Sequence, residues 1–394
     1  MNLAEHWRRM RDGERPVFPI VVALVVIWVI LGFASPAFWA PENLVNLSLQ
    51  SVSTGIIALG VVIVLLIGQI DLSVGAVSGL AAAIAAVTAM SWGWPLAIAV
   101  VSALAVGAII GVLYGVLIAR VGLPGFVLTL AGLLIATGLQ WQILGDAGSI
   151  NLPFDSWLVR FTQTAFVPTP VAWVLVTLAV VGTAVPRVIA RRRRRAADLG
   201  AESVGAIALK TLLVAVLLAV PVAYLSQARG VGWSVVLFVA LVWAADILLR
   251  RTRWGRGIRA IGGDHHAARL AGVPVRRIVV SAFVACSTLA ALGGVLAAGR
   301  LAAANQSSGG GELFLIAIAA AIVGGTSLYG GRGNAWSALV GILIIQSIAN
   351  GLTLIDLDAS ARNIATGVVL VLAVTIDTLL SRRRRPFAAT GDVF

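Results

Sequence analysis

"LLIGQIDLSVGA" (residues 65–76) sets one carboxylate, Asp71, in the middle of a long apolar run. Apolar residues continue on both sides, over 52–70 and 73–91. Read as one helix, the two stretches would reach about 55 Å at 1.5 Å per residue. A hydrocarbon core is about 30 Å thick. The run therefore breaks, and Gly68, Asp71 and Gly75 are where it can. A carboxylate at the centre of a membrane helix costs about 2.5–3.5 kcal/mol on insertion scales. Asp71 escapes much of that cost if it sits at the break and caps a helix beginning near Leu72, where bare N–H groups and the helix dipole favour a negative charge. The other reading is a direct role toward a proton or a solute.

The surrounding chain is a membrane protein by composition. Of its 394 residues, 60% are hydrophobic and only 11% charged, against roughly 25% charged in a soluble domain. Apolar runs of membrane-spanning length, roughly 17–25 residues, fall near 17–38, 52–70, 73–91, 95–119, 125–144, 168–190, 204–226, 231–249, 278–299, 312–329, 334–352 and 363–380. The expected fold is an all-α polytopic membrane helix bundle of about twelve transmembrane helices. The N-terminal segment lacks a small-residue cleavage site and reads as a retained span.

Basic residues set the orientation. With the N-terminus in the cytoplasm and alternating spans, 25 of the 29 basic side chains fall inside; only Arg160, Arg229, Arg300 and Arg362 fall outside. That bias predicts cytoplasmic termini, an Arg-rich cytoplasmic loop at 186–203, a long cytoplasmic loop at 250–277, and a break at Asp71 toward the cytoplasmic side. It also accounts for the net charge of +13 without a nucleic-acid partner. Small residues recur every four positions at Gly107, Gly111 and Gly115 and at Gly75, Gly79 and Ala83, faces on which helices approach closely. "GQIDLSVG" (68–75) and "GGTSLYGG" (324–331) form a weak internal echo, each closing one apolar span before the next.

Several chemistries are excluded or poorly supported. The single lysine, Lys210, follows Leu209, so no phosphate-binding Gly-Lys-Ser/Thr loop exists. No HExxH motif occurs, and adjacent His265 and His266 point to different sides of a helix. No enzyme, metal site or cofactor is expected. Cys286 is the one cysteine, so no intramolecular disulfide can form. Polar groups within or beside the spans are few: Gln69, Asp71 and Ser73 at the break; Gln140 and Gln142; Asn305 and Gln306; and Gln346 and Asn350, four apart on one face. Candidates for a pathway are Gln69, Asp71, Ser73, Gln140, Asn305, Gln346 and Asn350.

The loop "RTRWGRGIRAIGGDHHAARLAGVPVRR" (251–277) predicts a short helix over 265–271, capped by Asp264 and ended by Gly272 and Pro274. Its basic charge suits a lipid surface. Its small residues Ala267, Ala268 and Gly272 favour a protein partner over the bulky stripe of a lipid anchor.

The motifs "IDLSVGA" (70–76), "LPGFVLTLAG" (123–132), "GRGIRAIGGDHHAARLAGV" (255–273) and "VGGTSLYGGRG" (323–333) together resemble the permease subunit of bacterial ABC importers for ribose, galactose, arabinose and xylose. The span pair near 168–226 and "NGLTLIDL" (350–357) look most like the xylose-type branch. The resemblance implies one permease domain over 1–394 in the bacterial inner membrane and a homodimer around a central pathway. It also implies two ATP-binding subunits at the cytoplasmic face and a sugar-binding protein outside. The 250–277 loop would be the coupling loop, with Gly262, Gly263, Ala267, Ala268, Arg269 and Gly272 matching the family pattern. Asp264 stands where asparagine is usual, His265 and His266 where other polar residues are usual, and Ala271 where serine is common. The competing class is a proton- or sodium-coupled secondary transporter using Asp71.

Overall fold

The computed structural model describes residues 17–358 and scattered positions between 360 and 375. The span expected near 363–380 lies, apart from those positions, outside the described residues, as do both termini. Fourteen α-helices and two three-residue strands follow in chain order among the described residues: α1 (Val17–Ala34), α2 (Pro41–Leu66), α3 (Val74–Met90), α4 (Leu96–Val116), α5 (Gly125–Leu144), β1 (Ser149–Asn151), α6 (Trp157–Gln163), α7 (Thr169–Ala196), α8 (Val204–Leu225), α9 (Trp233–Arg251), α10 (Arg253–Gly263), α11 (His265–Leu270), α12 (Val275–Leu301), β2 (Ala303–Asn305), α13 (Leu313–Val323) and α14 (Trp336–Leu354). Among the described residues eight helices are long and apolar enough to cross a membrane; α1, α3 and α13 are shorter apolar helices.

Helices α2 and α12 form the centre. Nineteen of the 26 residues of α2 are buried, and α12 packs against α2, α3 and α4. Small residues make this possible. The stripe Gly107, Gly111, Gly115 of α4 lies directly on the α12 backbone at Ser287, Phe283–Val284 and Val280, and a Cβ at Gly294 of α12 would overlap the Ser78 carbonyl of α3. In lipid, where apolar side chains gain nothing by leaving the solvent, such close van der Waals contact supplies the cohesion.

Two expected spans differ from the observed elements. The α2 helix starts at Pro41, eleven residues before the expected 52, because Asn43 and Gln50 find partners on α14 and the helix can carry them. The stretch expected to span at 312–329 forms only the eleven-residue α13, stopping at Val323 where Gly324 and Gly325 follow; Gly325 adopts a φ of +101°. At about 16 Å, α13 is half a span. Before it, residues 302–312 fold back into the bundle: β2 pairs antiparallel with β1, Asn305 opposite Ser149, and Gly309 packs on Gly75 and Gly79 of α3. The Arg-rich stretch at 186–203 is also not a loop throughout. Residues through Ala196 continue α7, and only the residues after it turn.

Candidate functional site

The break holding Asp71 is a re-entrant turn. Helix α2 ends at Leu66, and Gly68, with φ +76°, reverses the chain. The Leu66 carbonyl accepts the Gly331 N–H at 2.9 Å, and Gly262 of α10 packs on both groups. This end of α2 therefore lies beside the α10–α11 loop. From there the chain climbs back, and Asp71 Oδ2 comes to 3.8 Å from Cys286 Sγ. Cys286 is eleven residues into α12 and fifteen from its end, about 17 and 22 Å by helix rise. Asp71 thus sits at mid-depth, not toward the loop end; only residues 66–68 do.

Asp71 is 1% exposed. Its Oδ1 accepts the Ser73 backbone N–H at 2.8 Å and the Ser73 Oγ–H at 2.6 Å. Helix α3 begins at Val74 with Ser73 in the capping position. The carboxylate therefore closes a side-chain turn two residues long just ahead of the helix, rather than capping a helix from Leu72. Thr129 of α5 braces the same turn, accepting the Leu72 N–H at 3.3 Å while donating to its own helix at Gly125 O, 2.9 Å. Gln69 is half-buried, its Oε1 against Gly125.

The other candidate polar residues lie elsewhere. Asn305 turns its side chain into its own loop, accepting the Ser307 N–H at 2.9 Å. Gln140, 2% exposed, holds that loop by donating to the Asn305 and Ser308 carbonyls at 2.9 and 2.8 Å. Gln346 donates to Gln50 at 3.0 Å, and Asn350 exchanges a reciprocal amide pair with Asn43 at 2.9 and 3.0 Å. The seven pathway candidates thus fall in three places: the α2–α3 break, the 302–312 segment with Gln140 of α5 against it, and the α2–α14 seam. Asn43, Gln50, Thr129 and Cys286 were not singled out as partners by the sequence. The seven-residue spacing of Asn43 and Gln50 on one helix face was the available signal for the first two.

The basic loop is two helices. The expected one, α11, starts where Asp264 accepts the His266 and Ala267 N–H groups at 2.8 and 2.9 Å. Those hydrogen bonds, from Ala267 first and then His266, hold the Asp264 carboxyl below the usual carboxylate range. Gly272 follows the helix with φ +77°. The unexpected one, α10, buries Gly255, Gly257, Ile258 and Ile261 while Arg253 and Arg256 stay exposed. Of the six residues matched to the coupling pattern, Gly263, Ala267, Arg269 and Gly272 are exposed. Gly262 and Ala268 face inward, Gly262 against Leu66 and Gly331. Leu270, 78% exposed at the end of α11, is an apolar tip beside the four exposed residues. Among the described residues no group of three His, Cys, Asp or Glu side chains could hold a metal ion.

A multi-pass helical membrane protein with interrupted spans and an exposed, capped loop at one end is what these features define. The chain belongs to the family described as branched-chain amino acid transport system / permease component, whose sequence model matches residues 43–374. It is 32% identical to the xylose transport system permease protein XylH of Escherichia coli (strain K12), over 93% of each chain. Against the Haemophilus influenzae protein of that name the identity is 32%, over 94% of this chain and 98% of the relative. The ribose import permease protein RbsC of Escherichia coli (strain K12) is 30% identical over 91% and 92%. No solved structure matches.

Proposed function

We infer that this chain is the permease subunit of an ATP-driven ABC importer for a monosaccharide, a pentose and most specifically D-xylose. The observation that carries this reading is end-to-end correspondence with xylose permeases, over 93% of each chain. The family description names branched-chain amino acids, but the sugar permeases match the whole length at 30% identity or more, so the sugar reading is preferred. A permease is not an enzyme class, and energy enters through partners as differential stabilisation of two states. The same relatives lend no support to an ion-coupled carrier using Asp71.

In this reading two copies of the chain, each with about twelve spans and cytoplasmic termini, sit in the bacterial inner membrane. ATPase subunits dock on the exposed face of α10–α11, at Gly263, Ala267, Arg269, Leu270 and Gly272. A sugar-binding protein docks at the opposite end. There Arg229 and Arg300 line a cavity of about 300 Å³ with Asn46, Gln163 and Thr164. ATP binding draws the ATPases together, and the loop carries the movement to the α2 end and the break.

The test needs no sugar. The tagged chain is extracted in mild detergent and co-purifying proteins are identified by mass spectrometry, with and without Gly263→Trp and Ala267→Trp. No atom lies within 4 Å of a Cβ at Gly263, and Ala267 is exposed, so both variants keep the fold. Loss of an ATPase subunit in the variants is the expected result. A folded chain with no ATPase partner, whose uptake collapses at once under a protonophore, would overturn the reading.

A further inference from the structure

The α7–α8 hairpin is attached to the bundle without being part of its core. Only 11% of the spanning stretch of α7 and 6% of that of α8 is buried. The two helices pack mainly on each other, with a minor contact from α8 to α2. Their exposed apolar residues, Val174, Leu178, Val181 and Val185 on α7 and Leu213 and Leu217 on α8 among them, face lipid in a membrane. The 28-residue α7 is about 42 Å long, against about 33 Å for the 22-residue α8.

With Thr169 at one edge of a hydrocarbon core of about 30 Å, Arg191 to Arg195 lie about 33–39 Å along α7. That is the depth of the phospholipid headgroups on the far leaflet. Seven basic and two acidic side chains between residues 187 and 210 leave a net charge of +5. Glu202 is engaged by Lys210, and Arg191 Nε donates to the Glu202 carbonyl at 3.0 Å. Arg192 to Arg195 are exposed, and their guanidinium groups have no partner among the described residues.

We propose that Arg192 to Arg195 form a binding site for anionic phospholipid headgroups that seats the α7–α8 hairpin in the membrane. Their arrangement favours lipid over a docked protein. At 3.6 residues per turn, consecutive helical residues point in every direction around the axis. A protein partner contacts one side of a helix, whereas a ring of headgroups surrounds it. The apolar part of the same helix is exposed on nearly all sides, so lipid already encircles it just above the arginines. Basic clusters immediately beyond a membrane helix attract anionic headgroups, and the attraction fades within a Debye length as salt rises.

The test is native mass spectrometry of the full chain from mild detergent after exposure to phosphatidylglycerol. Three proteins are compared: wild type, a variant with Arg192, Arg193, Arg194 and Arg195→Gln, and one with all four→Lys. Arg276→Gln with Arg277→Gln serves as the control for charge removed elsewhere. Retained phosphatidylglycerol should fall roughly tenfold or more in the glutamine variant, be kept in the lysine variant, and be unchanged in the control. Equal retention in the glutamine variant and wild type overturns the site. So does an equal loss in the control, which would make the effect one of overall charge. Loss of a co-purifying protein from the glutamine variant with phosphatidylglycerol retained would assign the arginines to a protein contact and likewise overturn it. The outcome is independent of which solute the chain carries or whether an ATPase drives it.

Discussion

Helices α2 and α12 and helices α7 and α8 are all long and apolar, yet they occupy opposite environments. In α2, 83% of the spanning window is buried and in α12 61%; in α7 and α8 the shares are 11% and 6%. Hydropathy does not separate the two pairs. Glycine does. A Cβ at Gly60 of α2 meets the Cys286 backbone at 2.9 Å, and one at Gly294 of α12 overlaps Ser78, whereas Gly182 of α7 and Gly205 of α8 have no atom within 4 Å of an added Cβ. Apolar character puts a helix in the membrane; small residues with backbone against them put it in the middle of the bundle.

The largest expected effect breaks that contrast directly. Gly294→Leu drives a side chain into the α3 backbone and should destabilise the protein by about 3 kcal/mol or more, the upper range for overpacking. Gly182→Leu should change stability by less than about 0.5 kcal/mol. Thermal unfolding in detergent, followed by size-exclusion chromatography, measures both. Equal melting of the two variants would mean that glycine position says nothing about packing in this fold.

An intermediate effect is expected at the break. Asp71→Asn keeps an oxygen to accept from Ser73 and should retain the fold and most uptake. Asp71→Ala leaves the buried Ser73 N–H and hydroxyl without their acceptor, at a cost of about 1–3 kcal/mol, and should lower both stability and uptake. Abolished uptake in a normally inserted, normally stable Asp71→Asn would instead make the carboxylate a direct participant.

The smallest effect belongs to the exposed loop. The Asp264 carboxyl titrates below its ordinary range in the folded protein. Its contribution to α11 is therefore fully present above the unfolded carboxylate value of about 3.9 and is lost only as pH falls through the lower folded value. Hydrogen exchange at the His266 and Ala267 amides should show constant protection from neutral pH down to about pH 4. Asp264→Ala should expose both amides across that range. Protection that declines well above pH 5 would contradict the cap.

Eleven of the expected apolar runs correspond to helices of the described chain because an unbroken apolar stretch is visible without knowing its neighbours. The errors fall where a neighbour decides. Asn43 and Gln50 look like loop residues until their partners on α14 are known. Gly255 and Gly257 look like helix breakers, yet they let α10 press against Leu249 and Ile278. The Gly-rich end of α13 reads as a continuing span because glycine costs little in hydropathy. The break at Asp71 was visible because a charge and two glycines interrupt the run. Its mid-depth position was not, since Cys286 lies 215 residues away in sequence.

Gly262, Leu66 and Gly331 meet through main-chain atoms: the Gly331 N–H on the Leu66 carbonyl, and Gly262 against both. Side chains absorb small displacements by changing rotamer; a joint of carbonyls and amide nitrogens on packed elements has no such slack. The α10 helix, the end of α2 and the turn holding Gly331 are thus joined backbone to backbone. No rotamer change at this joint could take up a displacement of the exposed loop, so any slack between the loop and the turn that carries Asp71 would have to lie on either side of it.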